Sequence, residues 1–223
     1  MGPDARIETL NVGVPGPAPA APAPAPTVAP CGAQAAADAV PADTERDLVR
    51  SVFVVHGRDE QVRTRMFDFL RCLDLRPLEW EELVASSRKI SPYLGDVVAL
   101  APSLAQAALV LLTPDDVVRL HPDLHRDWEP LFETGETCQA RPNVLIELGL
   151  VLGAYPERTL IVEVGRLRPI ADIEGRNVIR FDGSAESVGK IVERLKTAGC
   201  AVNDRGSDWR KPWPLLDAQE RKP

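Results

Sequence analysis

The stretch Ala140-Arg-Pro-Asn-Val-Leu-Ile-Glu-Leu-Gly-Leu-Val-Leu-Gly153 carries a single carboxylate, Glu147, in an apolar run. Leu145, Leu148 and Leu152 stand at helical spacing, as do Val144, Leu148 and Val151. A carboxylate on such a helix is costly to bury unless it is paired or lines a cleft, and the competing reading is a solvated face. Asn143 follows Pro142 as a candidate N-cap. Two further polar clusters end apolar runs: His56-Gly57-Arg58-Asp59 after Ser51–Val55, and Thr113-Pro-Asp115-Asp116 after Ala107–Leu112. Gly57 suits a sharp turn, and Asp115 and Asp116 suit turn and cap positions. His121 and His125 are four apart, but Pro122 and Pro130 oppose a long helix there and no further ligand completes a metal set, so no metal site is expected.

These residues need elements to hold them. Ser51–Val55 is a continuous apolar, β-branched run and reads as a buried strand. Asp59 opens a helix with Val62, Met66, Phe69, Leu70 and Leu73 on one face. A second strand is expected over Leu75–Trp80. A polar loop over 86–95 then leads to a helix with Ser91 as N-cap and Pro92 at its first position, which Pro102 should stop or kink. Ala107–Leu112 is a third buried strand. Residues 117–140 have no pattern and read as irregular. After the Glu147 helix come strands at Arg158–Val164 and Asn177–Phe181. A last helix is capped by Ser184 and ended at Gly199. Strands alternating with helices predict an α/β fold: a flavodoxin-like, five-stranded parallel sheet with helices on both faces. Ligands in such sheets bind beyond the carboxyl ends of the strands, where the 56–59 and 113–116 loops and the start of the Glu147 helix converge.

The 223 residues divide by composition. Residues 1–46 are rich in Pro and Ala and read as a disordered tail, with a marginal helix near Ala33–Val40. Residues 47–200 form the domain, and 201–223 a polar C-terminal extension that touches it through Trp209 and Trp213. The net charge of -7 and the lack of a long basic cluster argue against a nucleic-acid partner. The four cysteines, Cys31, Cys72, Cys138 and Cys200, form no Cys-x-x-Cys pair, which fits a reducing, cytoplasmic setting. Neither a secretory signal nor an apolar run long enough for a membrane span is visible, so no membrane partner is expected.

Four ordered blocks carry a resemblance: Val52-Phe-Val-Val-His-Gly-Arg-Asp59, Leu111-Leu-Thr-Pro-Asp-Asp116, Ala140-Arg-Pro-Asn-Val-Leu-Ile-Glu-Leu-Gly149 and Leu167-Arg-Pro-Ile-Ala-Asp-Ile-Glu-Gly-Arg176. With them the chain resembles the bacterial TIR-like family of predicted nucleotide-binding proteins, which includes effectors of cyclic-nucleotide antiphage systems. The resemblance spans roughly Leu48 to Trp209. It implies a TIR fold and, as in many members, cleavage of NAD+ at the nicotinamide–ribose bond with no separate cofactor. It implies Glu147 as the catalytic glutamate. It also implies a nucleotide site made by His56, Gly57, Arg58, Asp59, Thr113, Asp115, Asp116 and Asn143, and activation by self-association into a homo-oligomer. No second signalling domain is expected beside the TIR unit.

That reaction suits one carboxylate. Nicotinamide leaves as a neutral pyridine and needs no general acid, while a carboxylate steadies the oxocarbenium-like ribose. Arg58 is suited to a pyrophosphate oxygen and His56 to nicotinamide or phosphate, against the plain readings of a surface arginine and a structural histidine. Two rival functions stand beside the NAD+ glycohydrolase: a non-catalytic TIR nucleotide-binding or signalling module, and a nucleoside deoxyribosyltransferase-like N-glycosidic enzyme.

Overall fold

A computed structural model describes residues 47–173, 175–214 and 216–223; the expected tail and its short helix lie outside them. The chain runs β1 (Ser51–Val55), α1 (Glu60–Cys72), β2 (Arg76–Leu78), α2 (Trp80–Ser86), α3 (Leu94–Leu104), β3 (Ala107–Leu112) and β4 (Asp116–Val118). It continues through α4 (Leu131–Thr134), β5 (Thr137–Gln139), α5 (Pro142–Ala154), β6 (Thr159–Val164), β7 (Ile179–Phe181), α6 (Ala185–Thr197) and α7 (Asp217–Glu220).

Five strands pair in the order β2-β1-β3-β6-β7, all parallel. This is the expected α/β architecture, with the flavodoxin-like strand order. Because strand side chains alternate, each strand feeds two cores. Val52 and Val54 join Met66, Leu70, Ile191 and Leu195 beneath α1 and α6. Phe53 and Val55 join Leu83, Val97, Val98, Val144, Leu148 and Val151 beneath α2, α3 and α5. The strands are apolar on both sides because helices cover both sides.

Local chemistry sets the boundaries. The Asp59 carboxylate accepts from the Val62 amide at 2.9 Å and caps α1. Ser184 Oγ accepts from the Ser187 amide at 3.2 Å and caps α6, which ends at Ala198 with Gly199 following at φ +85°. Only glycine adopts that conformation without strain.

Several expectations are corrected. The second strand stops at Leu78, and Trp80–Ser86 is helical. Glu81 and Glu82 lie in the first turn, where acids complement the helix dipole. The next helix is capped by Tyr93 rather than Ser91 and begins at Leu94. It runs through Pro102 to Leu104. Pro102 gives up its own ladder bond and crowds the Val98 carbonyl, and the burial of Val97, Val98 and Ala101 offsets that cost. Residues 117–140 are not wholly irregular: β4 and β5 form an antiparallel ribbon with Val117 opposite Cys138. Asn143 does not cap α5: Arg141 is the N-cap residue and Pro142 takes the first helical position. Nor does the C-terminal segment touch the domain through tryptophans alone, since Leu216 and Ala218 are fully buried in the core under α1 and α6.

Candidate active site

The loops after β1 and β3 meet at the carboxyl edge of the sheet. The Arg58 amide donates to Asp115 Oδ2 at 2.9 Å. A Cβ on Gly57 would lie 1.8 Å from that oxygen and 3.2 Å from Thr113 Oγ1, so glycine is what lets the two loops close. Thr113 is 2% exposed, and its hydroxyl has no hydrogen-bond partner among the described residues. His56 donates from Nδ1 to the Gly57 carbonyl at 2.9 Å, with its ring edge-on to Phe67 at 6.0 Å between centroids.

The carboxylates of this cluster are already engaged. Asp59 and Asp115 side chains are 3% and 4% exposed. Arg221, from the segment after α7, donates to Asp59 Oδ2 at 3.0 Å and to the Pro114 carbonyl at 3.2 Å, and lies 4.0 Å from Asp115 Oδ1. The segment is led there along the sheet edge. The Trp213 amide donates to the Gly183 carbonyl at 2.8 Å. The Asp217 amide donates to Gln61 Oε1 at 2.9 Å. A Cβ on Gly165 would lie 2.2 Å from the Ala218 carbonyl oxygen. Sequence reasoning missed Arg221, because one arginine in a polar tail has no local signature.

Glu147 belongs to the other side of this edge, on α5. It is half-buried between Val144 and Leu148, which are 3% exposed each, and beside the exposed Ile146. Burial pushes its carboxyl above the ordinary glutamate range. Among the described residues its side chain forms neither a hydrogen bond nor an ion pair. β3 and β6 are parallel neighbours, so the connection between them must return through α5 from the carboxyl ends of the strands, which places the first turns of α5 at that edge. Asn143 is exposed in the first turn of α5. Asp116 opens β4 opposite Gln139.

Thus Gly57, Arg58, Asp59, Thr113 and Asp115 form one contact group, with His56 at its margin. Glu147 and Asn143 share α5 and make no hydrogen bond to that group, while Asp116 is drawn into the ribbon. Chemically the edge offers one unpaired carboxylate in a partly apolar setting, an orphaned hydroxyl, and two acids held by a guanidinium.

Residues 51–183 match the family model of the CAP12/Pycsar effector protein TIR domain. The chain belongs to this TIR-domain family. The match spans all five parallel strands and α5, and ends before α6 and the Arg221 segment. The chain is also 26% identical over 159 residues to the uncharacterised protein YuaY of Escherichia coli (strain K12). That alignment covers 69% of this chain and 47% of YuaY, so the chain spans about half the length of this relative. Among the described residues, no helix of the TIR domain is long and apolar enough to cross a membrane.

Proposed function

We propose that this TIR domain hydrolyses NAD+ at the nicotinamide–ribose bond, with Glu147 as the catalytic residue and ADP-ribose or cyclic ADP-ribose as product. The observation that carries the reading is the Glu147 carboxylate: half-buried, without a partner among the described residues, and raised in pKa by desolvation. A carboxylate not neutralised by the protein is available to a cationic transition state, and its low-dielectric surround strengthens that attraction. NAD+ is the substrate, and no resident cofactor is required. Asn143 at the start of α5 and Arg58 in the loop after β1 are exposed polar groups of the kinds that serve ribose and phosphate.

Activity through self-association fits the exposed apolar side chains Tyr93, Trp128, Leu131 and Ile146. A second copy laid over Ile146 would desolvate its neighbour Glu147 further. A cytoplasmic role in antiphage defence is consistent with the family. One observation favours the non-catalytic reading instead: Asp59 and Asp115 are satisfied by Arg221 within the chain and are not free for a nucleotide.

The test is nicotinamide release from NAD+ at high protein concentration. Wild type should release it, and Glu147→Gln should lower the rate by about 10²-fold or more with the fold intact. Release undiminished in E147Q, or absent from wild type under conditions that drive self-association, would leave the non-catalytic module as the function.

A further inference from the structure

A cavity of about 540 Å³ lies at the β7 edge of the sheet, and its lining reaches Ala140 just before α5. It exists because the crossover from β6 to β7 contains no α-helix. The connection over residues 165–178 has only a short 3-10 turn, so this end of the sheet face is roofed by a loop. Glu163 and Arg180 are register partners on β6 and β7 and both line the space.

Cations converge on it from three elements. Arg168 and Arg176 come from the roof, Arg180 from β7, and Lys190 and Arg194 from one face of α6. Against them stands one lining carboxylate, Glu163, in a protein whose net charge is -7. Arg168 is paired with Glu133, Lys190 is held by Glu186 at the surface, and Arg176 donates to the Pro156 carbonyl. Arg180 and Arg194 have no carboxylate within ion-pair distance among the described residues. The remaining wall is apolar, from Leu112, Leu167, Ile170 and Val178, with the amides of Gln139 and Asn177 between. Self-repulsion among these cations in a partly enclosed space is relieved by an anion, and the apolar wall is useful only to a ligand with a body.

We propose that this cavity binds a phosphate monoester carrying a ring-bearing or apolar body, with the phosphate on Arg180 and Arg194 and the body against Leu167 and Ile170. Its volume lies within the range of small-molecule sites, about 300–1,000 Å³. The two guanidinium groups supply the bidentate contacts that phosphate takes. The proposal does not depend on NAD+ cleavage.

Calorimetric titration of the full chain at low salt tests this with three probes: adenosine 5′-monophosphate, adenosine, and inorganic phosphate. The monophosphate should bind saturably, at least about tenfold tighter than either part alone. Arg180→Gln and Arg194→Gln should each weaken it about tenfold or more, the exposed α1 variant Arg65→Gln should leave it unchanged, and all three should melt within a few degrees of wild type. Equal binding of adenosine and the monophosphate overturns the phosphate assignment. Binding that survives R180Q/R194Q but is lost in E147Q places the ligand at the α5 edge and overturns the site. No saturable monophosphate binding overturns the proposal outright.

Discussion

At Glu147 function and stability pull in opposite directions. Burial raises its pKa, so in the window between the ordinary glutamate value and the raised one the folded protein holds more protons than the unfolded chain. Stability therefore falls as pH rises through that window, and above it the fold carries the full cost of a desolvated carboxylate. Glu147→Gln removes that cost, so E147Q is expected to melt slightly above wild type at neutral pH and level with or below it at acid pH; differential scanning at two pH values checks this. If the carboxylate is the reacting form, the acid limb of the rate profile should lie above the ordinary glutamate range. Gly57 is the second informative residue. Gly57→Ala places a methyl on Asp115 Oδ2, at 1.8 Å before relaxation, and should cost about 1–3 kcal/mol by chemical denaturation. In a double-mutant cycle with Asp115→Ala the two losses should be clearly less than additive, because both act on the same contact.

At the scale of elements, α5 couples the two halves of the proposed chemistry. Ile146 and Glu147 are adjacent, one exposed for contact and one half-buried for reaction. Ile146→Lys should leave the monomer's unfolding free energy unchanged within about 0.5 kcal/mol and reduce self-association, measured by sedimentation, together with any NAD+ cleavage. The elements also show what was legible in sequence. The parallel strands were readable because both faces of each are covered, giving runs such as Ala107–Leu112 with no polar interruption. Caps resting on a side-chain bond, Asp59 and Ser184, were readable for the same local reason. Ser91-Pro92 and Asn143 imitate such caps, but their helices start where packing places the first buried turn. The β4–β5 ribbon was invisible because its three-residue strands bury little beyond Cys138. Glu147 was legible as a charge out of pattern. The cationic cavity was not, since its groups lie on a loop, a strand and a helix.

At the scale of the whole molecule, the C-terminal segment closes the sheet edge. Arg221→Ala leaves two nearly inaccessible carboxylates facing one another without a cation, and should cost about 1–3 kcal/mol, discounted for the partial exposure of Arg221. Equilibrium unfolding in urea checks this, and the loss should persist in moderate salt because Asp59 and Asp115 are shielded from solvent ions. The family match ends before this segment.

Arg221 reaches Asp59 across 162 positions of sequence. During synthesis the ribosome delivers β1, β3 and both acids long before it delivers the cation that reconciles them. A nascent chain stalled short of residue 221 carries two repelling carboxylates at the mouth of an otherwise formed sheet. The edge bearing the candidate chemistry therefore closes only after the segment carrying Arg221 has emerged, because no earlier residue of that contact supplies the cation.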